Sequence, residues 1–106
     1  MDAFETSQLE AERAASGNLY LEFLRRDSMS LGLYTLDAGA EDPQTPHDED
    51  EAYVVVAGRG AIMVAGENQD VGPGSVVFVG RGVEHRFHSI TERLQILVVF
   101  APPESA

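Results

Sequence analysis

The chain has 106 residues and a mass of 11.5 kDa, one domain's worth, and its lack of cysteine excludes disulfides, thiol catalysis and thiolate metal sites. A hydrophobic fraction of 43% and a charged fraction of 24% are ordinary for a globular domain and argue against disorder as the main state. Eighteen Asp and Glu against seven Arg give a net charge of −11, a surface that repels nucleic-acid phosphates and anionic membranes but attracts cations.

In chain order, residues 4–16 combine helix formers with the stop signal Ser16-Gly17-Asn18. They predict a short helix within an N-terminal appendage spanning residues 1–18. The first residues lack the basic start and apolar middle of a signal peptide. No apolar run approaches the roughly 18 residues of a membrane helix, and the missing cysteine favours the cytoplasm as the expected location. Residues 19–106 are expected to form one domain. Strands are predicted over 19–24, 30–36, 53–57, 61–65, 75–79, 85–89 and 94–100. These short β-branched and aromatic runs, separated by Gly, Pro, Asn and Asp, are the pattern of an all-β sandwich or barrel. Asp48-Glu49-Asp50 reads as a solvated acidic loop. Val54-Val55-Val56 and Ile96–Phe100 are apolar without alternation, so their outer faces need a cover. The thin helix covers only part of that surface, and a homodimer is expected to cover the rest.

Two of the three histidines sit in informative contexts: His47, four residues before Glu51, and His85, directly after Gly82-Val83-Glu84. Imidazole and carboxylate together suit Fe, Mn, Ni or Zn. On a straight strand His47 and Glu51 would be about 13 Å apart, at roughly 3.3 Å per residue. Bonds of about 2.0–2.2 Å cannot span that. The two converge only if the chain turns between them, and Asp48-Glu49-Asp50 is suitable turn composition. His47 would then end one strand, Glu51 open its neighbour, and His85 arrive from a third. Tyr53 lies two residues beyond Glu51, on the same strand face, where it either presents its hydroxyl to a substrate or packs in the barrel. Phe87 shares the face of His85 and reads as pocket wall. His88 points away, to the surface. Arg81 and Arg86 are expected in salt bridges with nearby carboxylates.

At this point the residues resemble the cupins, a family of jelly-roll β-barrels. The family's first motif is Gly, five residues, His, any, His, three or four residues, Glu, six residues, Gly. Here it reads Gly39, five residues, Thr45, Pro46, His47, three residues, Glu51, six residues, Gly58. The second is Gly, five residues, Pro, any, Gly, two residues, His, three residues, Asn. Here it reads Gly74, five residues, Gly80, Arg81, Gly82, two residues, His85, three residues, Ser89. The resemblance covers residues 19–101 and implies a single-domain cupin jelly-roll barrel with a short N-terminal helix. It implies one divalent metal ion on His47, Glu51 and His85, with Thr45 in place of the usual first histidine. Gln44 or Glu49 is a candidate substitute ligand. If Thr45 faces the metal, Thr45→His should raise metal affinity.

Cupins carry many activities, and three readings follow. One is a metalloenzyme acting on a small oxygen-rich molecule, of dioxygenase or isomerase/cyclase type, with Tyr53 as the nominated proton-transfer residue. Another is a binding module for a small molecule or metal, without turnover. The last is a structural dimer whose pocket has lost its metal.

Overall fold

The computed structural model describes Met1–Ser105. Its elements are α1 (Thr6–Ser16), β1 (Tyr20–Arg26), β2 (Met29–Leu36), β3 (Asp50–Val64), β4 (Glu67–Val71), β5 (Val76–Val79) and β6 (His85–Ala101). Helix α1 begins after Glu5 in extended conformation and stops at Gly17, whose left-handed backbone (φ 76°) turns its N–H back to Ala14 O. Leu9 is its buried residue. The helix lies on the outer face of β1 and β2, where the Thr35 hydroxyl donates to Glu10 Oε1 at 2.7 Å.

All strand pairs are antiparallel, in the order β1-β2-β6-β3-β4, with β5 pairing the first part of β3. The sequence pattern predicts two strands each over 53–65 and 85–100. The structure instead has two long strands that bend. Bulges interrupt the β3–β6 ladder between Val55 and Ala61, and Ser89 takes a positive φ of 51°. Each bulge reverses the alternation. On β6 the buried residues are His85 and Phe87 before the bend, then Ile90, Leu94, Ile96, Val98 and Phe100 after it. On β3 they are Glu51, Tyr53 and Val55, then Ala61 and Ile62. The polar, exposed strand β4, Glu67-Asn-Gln-Asp-Val71, has no apolar alternation and escapes a pattern reading.

These bends make the site. His85 is paired opposite Val64, and Glu51 opposite Phe100, at the two ends of the same ladder. A straight β3 would separate its two ends by roughly 40 Å, at about 3.3 Å per residue. Yet His85 Nε2 lies 3.0 Å from Glu51 Oε1. The sheet folds back on itself at the bulges, and the two halves enclose one interior.

Candidate metal centre

His47 lies in the irregular segment between β2 and β3, rather than at a strand end as its spacing suggests. Two backbone bonds pin that segment to the barrel: Gly39 N–H to Ile90 O, 2.9 Å, and Gly82 N–H to His47 O, 2.7 Å. The chain bends at Asp48 and Glu49, and β3 starts at Asp50. This is the turn that convergence of His47 and Glu51 requires. Of the acidic run, Asp48 and Asp50 are exposed, but Glu49 is buried and accepts from Ser105 Oγ at 2.9 Å. Glu49 therefore belongs to the anchorage of the C-terminal segment and not to the ligand cluster.

One ligand atom from each of His47, Glu51 and His85 lies within 4.8 Å of the others. Donors on one ion are about 3 to 4.4 Å apart when each bond is about 2.0–2.2 Å, so the spacing is met after a few tenths of an ångström of closing. Both rings are fixed from behind. His85 Nδ1 donates to Val83 O at 2.9 Å, and His47 Nδ1 faces Glu104 Oε2 at 3.4 Å. In the neutral His85 ring this leaves Nε2 as a bare electron-pair donor aimed inward, the arrangement typical of metal-binding histidines. Glu51 is 2% exposed and His85 likewise. Both Glu51 oxygens and His85 Nε2 lack a hydrogen bond of acceptable geometry despite their proximity. Buried unpaired carboxylates are costly, and a divalent cation resolves all three deficits together. The residues fit a metal ion.

Burial works against a charged His85, but Glu51, the Val83 carbonyl and the Asp42 carboxylate outweigh it and raise its pKa above the ordinary imidazole value. Burial, reinforced by Glu51, pushes the Tyr53 phenol far above its usual range. Its hydroxyl therefore stays protonated and donates to Gln44 Oε1 at 2.9 Å. That same oxygen is 3.2 Å from His47 Nε2. Behind Gln44 stands Asp42, which accepts from Gln44 Nε2 (2.7 Å), Tyr34 OH (2.6 Å), the Phe87 N–H (2.9 Å) and the Gln44 N–H (3.2 Å). Asp42 was not singled out by the sequence reading. Its segment has no periodicity, and one more Asp among eighteen acidic residues carries no signal.

Thr45 is exposed, whereas Gln44 points into the cluster. The motif position that would carry a first histidine thus faces outward. Phe87 packs edge-on against Tyr53, with ring centroids 5.0 Å apart, as wall. His88 bonds Asn68 Oδ1 away from the site. Arg81 and Arg86 are exposed, and neither side chain pairs with a carboxylate among the described residues; Arg81 meets Asp50 through its backbone N–H. Beside the cluster lies a cavity of about 120 Å³, bordered by Tyr20, Tyr34, Gln44, His47, Val98, Phe100 and Glu104. Glu104 reaches it because its N–H donates to buried Ser30 Oγ at 3.0 Å. Burial raises the Glu104 carboxyl, and Glu49, Glu22 and Glu51 add to this against the opposing pull of His47.

Residues 32–100 match the family model described as Cupin domain. An uncharacterized protein of Streptomyces coelicolor, SCO3923, is 58% identical over 105 residues, 99% of this chain and all of that protein. Among solved structures, KdgF from a Halomonas species superposes with a TM-score of 0.72 at 18% identity, covering 78% of this chain and 76% of that one. The DMSP lyase DddQ from Ruegeria pomeroyi gives a TM-score of 0.68 at 26% identity, covering 72% of this chain and 39% of that one.

Proposed function

The chain belongs to the cupin family, and from that premise we propose that it is a small metal-dependent enzyme acting on an oxygen-rich small molecule. His47, Glu51 and His85 hold one divalent ion. The observation that carries this is the set of buried, unpartnered donor atoms on Glu51 and His85, with both imidazoles oriented from behind. When bound, such an ion supplies Lewis acidity toward substrate oxygens.

The chain's own residues supply the rest. Tyr53, protonated and hydrogen-bonded beside the donors, is the group placed to hold or pass a proton. The small cavity next to His47 bounds the size of what can approach. The neutral phenol at the donor cluster supports proton-transfer chemistry, of isomerase, cyclase or lyase type. The similarity to DMSP lyase DddQ, of which this chain covers 39%, supports including lyase chemistry in this reading.

The test is deuterium exchange. Metal-loaded protein in D2O is screened against small hydroxy- and keto-acids, and label entering next to a carbonyl is read by NMR. Wild type is expected to exchange at least one substrate, and Tyr53→Phe to lose at least about 10²-fold, the usual scale of a lost acid–base group. Ligand-induced shifts in a cobalt-substituted protein without any exchange would favour the alternative of a non-catalytic binding module. The cramped cavity beside the C-terminal segment is the feature that favours that alternative.

We also propose a homodimer. Cross-strand register aligns Phe78, Ala52, Val99 and Leu31 in one outward row, and Val76, Val54 and Leu97 in the next. Val76 and Phe78 are 69% and 66% exposed. The α1 helix lies on β1 and β2, away from β5.

A further inference from the structure

We propose that Gln44 is a fourth protein donor to the metal, taking over through a one-residue offset the place that Thr45 vacates. This rests on the metal-site reading above and extends its ligand set. The first argument is the direction of the amide. Gln44 Nε2 donates to Asp42 Oδ2, and Asp42 already accepts from Tyr34 OH and two backbone N–H groups, so it is a saturated acceptor that only an amide NH2 can face. The Gln44 carbonyl oxygen is therefore turned inward and held there.

The second argument is what it meets. Oε1 lies 3.2 Å from His47 Nε2, within hydrogen-bond distance, and accepts from it when Nε2 carries the ring proton. A metal ion taking the place of that proton on Nε2 would face the same oxygen, and 3.2 Å falls in the range of about 3 to 4.4 Å that separates two donors on one ion. His85 Nε2 and the two Glu51 oxygens present further lone pairs to the same centre. Tyr53 occupies one lone pair of Oε1, and the other is the one that faces His47. A carbonyl oxygen, a carboxylate and two imidazoles facing one another form a donor set for one divalent cation.

The experiment compares zinc affinity by competition with a chromophoric chelator, and the visible absorption of cobalt-substituted protein, across variants. Gln44→Ala should weaken zinc binding at least about tenfold while the metal-free melting temperature moves little. Gln44→Glu, which keeps an oxygen but sets a second carboxylate against Asp42, should bind less tightly than wild type and more tightly than Gln44→Ala. Gln44→His should change the cobalt spectrum, since nitrogen replaces oxygen in the set, and Thr45→His should leave both spectrum and affinity unchanged. Should Gln44→Ala fail to fold, the spectra of Gln44→His and Thr45→His decide alone. An unchanged affinity in Gln44→Ala, or a wild-type cobalt spectrum in Gln44→His, overturns the assignment while leaving the three-residue site standing. Failure of wild type to bind zinc at all would overturn the site itself.

Discussion

Nε2 of His85 can hold a proton or a metal ion, never both. Its pKa in the folded, metal-free chain is raised, since Glu51, the Val83 carbonyl and Asp42 prevail over desolvation. Protons therefore begin to compete for it above the ordinary imidazole value of about 6.5. Metal affinity should fall as pH drops through that region, by about tenfold per unit for the one displaced proton. The metal-free chain should show the reverse sign in stability. A raised pKa contributes stability that is complete below about 6.5 and lost as pH climbs through the raised value. Zinc titrations between pH 5.5 and 8 check the first statement, and a flat profile would contradict it. At this scale the sequence was readable where residue type alone selects chemistry: His47, Glu51 and His85. Gln44 was legible only as one candidate substitute ligand beside Glu49, and Asp42 was hidden, because their segment has no period from which to tell inward from outward. Counting motif positions therefore set Thr45 in the place of the first histidine, whereas Thr45 is exposed and its neighbour Gln44 turns toward the cluster.

The elements that matter most are the two bent strands. Gly58 sits in the bulged stretch of β3 with φ of 87°, and a Cβ there would lie 1.9 Å from Arg93 O on β6. Gly66, in the β3–β4 turn, has a similar φ of 83° but open space around it. Gly66→Ala should cost about 1–2 kcal/mol, for the left-handed backbone alone. Gly58→Ala must also push the two strands apart, and should cost about 3 kcal/mol or more. Because the bend carries Glu51 toward His85, Gly58→Ala should lower zinc affinity as well. Urea unfolding of both variants separates the effects, and equal losses would mean the close approach carries no weight. A glycine-punctuated pattern tells of interruption and not of its kind. Residues 53–65 and 85–100 therefore read as four strands, because a bulge and a turn both break the alternation.

For the whole molecule, the open question is what covers the apolar rows of β5, β3 and β6. Each fully buried side chain of this type gains about 1.5–3 kcal/mol over an exposed one, and a two-fold interface buries the same rows twice. The charge of −11 opposes association, but salt screens it beyond about 8–10 Å. Light scattering at micromolar concentration should give about twice 11.5 kDa, little changed by moderate salt, and Phe78→Glu should shift it toward the monomer. A wild-type monomer would contradict the pairing. The jelly-roll class was legible because strand runs and both motifs fall in register along the chain. The covering partner of its outer face leaves only an indirect trace in any one chain's sequence.

The central claim is that His47, Glu51 and His85 together hold one divalent ion. Elemental analysis of protein purified without an affinity tag, wild type beside His85→Ala, tests it most directly. Melting curves confirm that both are folded. The account predicts close to one metal per chain in wild type and less than about a tenth of that in His85→Ala. Full occupancy in His85→Ala, or none in wild type after incubation with Fe, Mn, Ni and Zn, would contradict it.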